Sequence, residues 1–213
     1  VTPQLQKENA IGVILGNGRF YTMRQNYKPY KIPTFGYPKL RLNLIIEYTD
    51  GSRQTIASDI SWKLTTEGPI RSNNEYDGEE YDARKELGDW NRTGYDDTNW
   101  IPAGRVSIPS GTLRAQMMPG MKVTESLKPV SIRKQGDKHI LDIGQNMAGW
   151  LRIRIKGQAG DSIRLRFAER LQADGEIFTK NLRDAHCTDI YVVSGREPQD
   201  TTWAPRFVYH GFR

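Results

Sequence analysis

The stretch with most scope for chemistry runs Asn73-Asn-Glu-Tyr-Asp-Gly-Glu-Glu-Tyr-Asp-Ala-Arg84. It crowds together the carboxylates of Glu75, Asp77, Glu79, Glu80 and Asp82, with amide oxygens from Asn73 and Asn74. Hard cations such as Ca²⁺ are held by several oxygen ligands of these types. Asn74, Asp77, Glu79 and Asp82 are therefore the candidate Ca²⁺ ligands, although their spacing is not that of an EF-hand loop. Tyr76 and Tyr81, with Trp90 a little further on, are candidate faces for stacking on a sugar ring. A second reading uses the same residues differently: Glu79, Asp82 and Arg84 form buried or interfacial hydrogen bonds that hold the fold. A third treats two carboxylates as a glycosidase pair, which in inverting enzymes stand about 6.5–9.5 Å apart. Sequence does not give that separation, and no catalytic residue is assigned.

Other chemically suggestive residues have structural readings beside the functional ones. Cys187 is the single cysteine, so an internal disulfide is excluded. His186 precedes it, but neighbours in a strand point to opposite faces, which argues against a Cys–His pair at these two positions. Trp62, Trp90, Trp100, Trp150 and Trp203 serve either as sugar platforms or as core residues with the indole N–H bonded. Asp142, Gln145 and Asn146 surround Gly144 and read as a turn lock, since Gly permits positive φ and short polar side chains satisfy turn backbone. Gly16-Asn-Gly18 lacks the Gly-Lys-Ser/Thr ending of a phosphate loop. Arg206, His210 and Arg213 are expected to face a neighbouring domain.

The elements that carry these groups follow a period of two. Leu40, Leu42 and Leu44 alternate with Arg41 and Asn43, and Asp50-Gly51 then signals a hairpin returning through residues 54–57. Leu151, Ile153 and Ile155 share one face, the chain turns at residues 156–161, and Ile163, Leu165 and Phe167 share the next inward face. Further strands are expected at residues 190–193 and 207–209, and a buried strand at the apolar run 10–15. Helical signals are confined to a turn near residues 82–87 and a short turn at 97–100. Many short strands with Gly- and Asn-rich turns predict an all-β chain of two tandem β-sandwich or jelly-roll units, 1–123 and 124–213, joined by the aperiodic strip 115–130.

The chain has 213 residues, 37% hydrophobic and 26% charged, which suits a globular protein. It has no apolar run long enough to span a membrane as a helix. Its opening residues lack a signal-peptide pattern and an initiating Met, and the chain reads as a piece of something longer. The net charge of +6 comes from Lys and Arg that alternate with apolar residues, as at Arg152, Arg154, Lys156, Arg164 and Arg166. That pattern describes the wet face of strands, with a polyanion-binding surface as the other reading; neither a nucleic-acid nor a membrane partner is expected.

Several segments in a fixed order resemble the N-terminal β domains of bacterial α-L-rhamnosidases, glycoside hydrolase family 78. In the first unit these are Ala10-Ile-Gly-Val-Ile-Leu-Gly-Asn-Gly18, Tyr48-Thr-Asp-Gly51, Ser58-Asp-Ile-Ser-Trp-Lys63, Gly78-Glu-Glu-Tyr-Asp-Ala-Arg84 and the stretch from Trp90 to Trp100. The second unit resembles the family's concanavalin-like domain through Asp142-Ile-Gly-Gln-Asn-Met-Ala-Gly-Trp150, Phe167-Ala-Glu169, Asp174-Gly175, Thr188-Asp189 and Tyr209-His-Gly-Phe-Arg213. Arg19-Phe20 stands where the family often has Trp-Tyr, which weakens transfer of sugar-contact roles to that loop. The usual opening strands of the first domain are absent, and the second domain's last strand stops early.

The resemblance implies an accessory part that braces a catalytic (α/α)₆ barrel acting on rhamnose-containing glycans, hydrolysing terminal α-L-rhamnose with inversion. This chain by itself is then expected to be inactive. The resemblance also implies a periplasmic or secreted setting. The alternative is a stand-alone carbohydrate-binding module or lectin, of the Ca²⁺-dependent kind that some related domains resemble.

Overall fold

A computed structural model of the chain describes residues 5–21, 36–107, 111–112 and 114–213. Their regular structure is all-β, as the alternation predicts. The strands are β1 (Asn43–Glu47), β2 (Arg53–Ala57), β3 (Lys63–Leu64), β4 (Ile70–Asn74), β5 (Gly78–Asp82), β6 (Ile101–Pro102) and β7 (Ser131–Gln135). They continue with β8 (Lys138–Asp142), β9 (Met147–Gly149), β10 (Ile153–Arg154), β11 (Ser162–Arg166), β12 (Thr188–Val192), β13 (Thr202–Trp203) and β14 (His210–Phe212). The helical signals resolve into single turns: a 3₁₀ turn at Ala83–Lys85, capped by the Asp82 side chain, and a hydrogen-bonded turn from Asp97 to Trp100. No helix among the described residues is long and apolar enough to cross a membrane.

The hairpin β1–β2 forms where Asp50-Gly51 places it. Gly51 takes φ +83°, a conformation that costs a residue with a Cβ, and the Asp50 carboxylate accepts the Ser52 N–H. The main sheet has the order β11-β12-β5-β4. β11 and β12 pair antiparallel, and so do β4 and β5, but β5 and β12 run parallel with Glu80 opposite Ile190. Strands on either side of residue 123 thus share one continuous sheet.

Among the described residues, every buried hydrophobic side chain lies at or beyond Ala83. One cluster joins Ala83, Ile155, Tyr191, Val193 and Trp203; another joins Ile143, Phe167 and Phe212. The inward face expected from Ile153, Ile155, Ile163, Leu165 and Phe167 is the face these clusters use. Tyr81 stacks on Tyr191 with centroids 5.5 Å apart, and Trp203 tilts against both, which suits ring quadrupoles better than face-to-face overlap.

Two expected strands are not formed. Residues 10–15 are neither extended in a sheet nor buried, and Ile11, Val13, Ile14 and Leu15 are exposed. A strand needs a neighbour for its backbone N–H and C=O groups, and no described strand lies beside this run. The last strand begins at His210 rather than Phe207. The amides of Arg206 and Phe207 donate to the Glu79 carboxylate and are unavailable to a sheet ladder.

Candidate functional site

The acidic stretch is a hairpin, β4–β5, whose tip is fastened to the loop before β12. Asn74 Oδ1 accepts the N–H groups of Tyr76 and Asp77 at 3.0 and 2.9 Å, and its Nδ2 donates to Asp77 Oδ2 at 3.0 Å. The other Asp77 oxygen accepts the His186 N–H at 3.1 Å, while the carbonyls of Tyr76 and Asp77 accept the N–H groups of Cys187 and Thr188. Gly78, at φ +109°, lets the two backbones meet: a Cβ there would stand 2.1 Å from the Thr188 carbonyl oxygen.

The four candidate Ca²⁺ ligands point in three directions. Asn74 and Asp77 close the tip. Asp82 forms a two-pronged pair with Arg84, Oδ1 to Nε and Oδ2 to a terminal nitrogen, both at 2.8 Å, and Arg84 holds the Asp82 carboxyl below its ordinary range. Glu79 turns inward, 1% exposed, and its two oxygens accept the N–H groups of Arg206 and Phe207 at 3.0–3.1 Å. Among the described residues no group of three or more His, Cys, Asp or Glu is arranged to hold a metal ion.

Behind Glu79 lies a chain of buried ionisable groups. Its backbone N–H donates to Asp189 Oδ1 at 3.0 Å, and the same oxygen meets His210 Nε2 at 3.0 Å. His210 Nδ1 stands 3.4 Å from Cys187 Sγ. Asp189 is 0% and His210 3% exposed, and Asp189 Oδ2 has no hydrogen-bond partner among the described residues. Burial pushes the Glu79 carboxyl up, against the pull of the two amides that bond its charged form. Burial alone would push His210 down; the hydrogen bonds to Asp189 and Cys187 prevail and raise it to about 9.

His210 therefore does not face outward to a neighbouring domain, as the sequence reading expected. The alternation around it explains why, since Val208, His210 and Phe212 are all buried on one face. Arg213 is exposed, and its Nε donates to Asp142 Oδ1 at 3.2 Å. Asp142 Oδ1 also accepts the Gly144 N–H at 2.7 Å, the turn lock anticipated there. Cys187 does have a histidine partner, but it is His210 rather than the exposed His186.

The candidate sugar platforms are dispersed. Tyr81 has both its ring and its hydroxyl engaged, the ring on Tyr191 and Trp203 and the hydroxyl on Glu86. The Tyr76 hydroxyl accepts from Arg19, a residue that stands in the Gly16-Asn-Gly18 loop region. Trp90 lines an open cleft of about 1770 Å³ with Trp62, Tyr95 and Trp100, its ring 6.3 Å from that of Trp100. Asp59, Asp97 and Arg92 add polar groups to the same cleft. Only Trp203 of the five tryptophans is buried.

Comparison with known proteins gives two family matches, the α-L-rhamnosidase N-terminal domain over residues 1–125 and the bacterial α-L-rhamnosidase concanavalin-like domain over residues 132–213. An α-L-rhamnosidase of Formosa agariphila is 36% identical over 100% of this chain and 23% of its own length. One of Streptomyces avermitilis is 41% identical over 83% of this chain and 17% of its own. Among solved structures, the α-L-rhamnosidase from Dictyoglumus thermophilum superposes with a TM-score of 0.82 at 37% identity, covering 93% of this chain and 21% of that one. The Streptomyces avermitilis enzyme complexed with L-rhamnose superposes with a TM-score of 0.75 at 39% identity, over 80% of this chain and 16% of that one. The chain thus spans about a fifth of the length of the relatives it matches.

Proposed function

The chain belongs to the bacterial α-L-rhamnosidase family through its N-terminal and concanavalin-like domains, and from that we propose that it is a non-catalytic brace within a rhamnoside-hydrolysing protein. The observation that carries this reading is the Glu79 clasp. A carboxylate from β5, buried between two amides 127 and 128 residues away in sequence, locks the acidic hairpin to the C-terminal segment. Groups committed in this way to backbone and to one another are suited to rigidity rather than to turnover. The partner is a catalytic (α/α)₆ barrel of the same protein, and the substrate a glycan ending in α-L-rhamnose. The test is an assay of the purified chain on an aryl α-L-rhamnoside. Absence of turnover is expected, and robust release of the aryl group would overturn the proposal.

A second reading, carbohydrate binding by the chain itself, is favoured by the cleft in which Trp90, Trp62 and Trp100 meet Asp59, Asp97 and Arg92. Apolar ring faces beside a few polar groups are what a sugar needs. Calorimetric titration with L-rhamnose, with and without Ca²⁺, separates the two readings. Heat in either titration favours binding, and none in both leaves the brace alone.

A further inference from the structure

The row Cys187–His210–Asp189 has no part in the function proposed above, and its geometry is that of an activated thiol. Sγ lies 3.4 Å from Nδ1, and on the far side of the ring Nε2 lies 3.0 Å from Asp189 Oδ1. Asp189 is wholly buried, and its second oxygen has no hydrogen-bond partner among the described residues, so its charge is directed at the imidazole and the Glu79 amide. Phe167 covers the imidazole face at 4.2 Å and excludes water from it. Cys187 itself is only partly buried, at the rim of the 186–188 loop, with its backbone at φ +48°. A carboxylate that orients a histidine toward a thiol is the arrangement by which cysteines become nucleophiles.

We propose that Cys187 is a covalent modification site, whose thiol proton is drawn onto His210 Nδ1 by the buried Asp189, leaving the sulfur open to soft electrophiles and peroxides. With iodoacetamide, the S–C bond forms as the C–I bond breaks. Iodide leaves with the electron pair, and the thiol proton stays on His210. With hydrogen peroxide, sulfur bonds to one oxygen and is oxidised to the sulfenic acid. The other oxygen departs as hydroxide and takes the proton from Nδ1 as water. The raised proton affinity of His210 agrees with this direction of transfer. The titratable groups facing the imidazole are Cys187 and Asp189, with Glu79 one hydrogen bond behind. The competing role is that of a small hydrophobe, because Cys187 also packs against the cluster of Ile143, Phe167 and Phe212.

Cys187 is the only cysteine in the chain, so intact-mass measurement of iodoacetamide uptake reports on it directly. At about pH 6.5 the native chain is expected to react about tenfold faster than the same chain unfolded in urea. His210→Gln is expected to erase that advantage. A native thiol that reacts more slowly than the unfolded one across the range would overturn the proposal. So would a His210→Gln chain that stays folded and keeps the fast rate. Should that variant unfold, the native-versus-urea comparison decides by itself.

Discussion

The buried side chain of Glu79 and the backbone of Phe207, 128 residues apart in sequence, meet through a 3.0 Å hydrogen bond. Arg206 donates to the same carboxylate at 3.1 Å. Truncation by Glu79→Ala removes the acceptor and leaves two amides without a partner. A loss of about 3 kcal/mol in unfolding free energy is expected by urea titration, in line with hydrogen bonds to buried charge. Glu79→Gln keeps one acceptor oxygen and should lose less. Equal loss in the two variants would show that the clasp works by packing rather than by hydrogen bonding.

Stability should fall on the alkaline side. His210 is raised above its ordinary 6.5 to about 9 in the folded chain, so its pairing with Asp189 stabilises fully below about pH 6.5 and is lost as pH rises through about 9. The loss is on the order of 3 kcal/mol. Glu79 acts with the same sign at lower pH, because its raised carboxyl makes ionisation costly once pH passes its ordinary 4.5. Urea midpoints measured between about pH 6 and 9.5 should decline, and Asp189→Asn should flatten the decline. A midpoint that rises with pH in wild type would contradict the charged His210–Asp189 pair.

Two glycines with positive φ should respond differently to alanine. At Gly51 a Cβ meets nothing within 4 Å, so Gly51→Ala carries only the conformational cost of about 1 kcal/mol. At Gly78 the same Cβ meets the Thr188 carbonyl at 2.1 Å, and backbone cannot give way without opening β5 from β12. Gly78→Ala is expected to cost several times as much, or to prevent folding. Thermal melts of the two variants make the comparison, and similar melting temperatures would argue against the parallel pairing.

Local pattern carried much of this architecture. Alternation placed the inward faces of residues 151–155 and 163–167, and Asp50-Gly51 placed its hairpin, because both depend on neighbours in sequence. What was not legible depends on residues far apart. Residues 10–15 look like a buried strand by composition, yet a strand exists only beside a partner, and no described strand pairs with them. Phe207 looks like strand until Glu79 takes its amide. Cys187 has His186 next to it in sequence, whereas its partner in space, His210, lies 23 residues on. Nothing local signals that pairing, because Cys187 takes a positive φ just before β12 begins and strand alternation does not reach it. Of the candidate site, the alternative in which Glu79, Asp82 and Arg84 make structural hydrogen bonds matches their placement, while the sugar faces Tyr76, Tyr81 and Trp90 lie apart.

The parallel seam between β5 and β12 has a consequence for biosynthesis. Glu79 leaves the ribosome 110 residues ahead of Asp189, the residue that receives its amide. Throughout that interval the acidic hairpin has no neighbour on one edge, and its carboxylates remain hydrated. Its docking is a late event by necessity, since a contact of such long range closes a large loop before any reward is returned. Until then the nascent chain presents an open strand edge to whatever else the cell is making, and its Asp and Glu residues supply the like-charge repulsion that guards it.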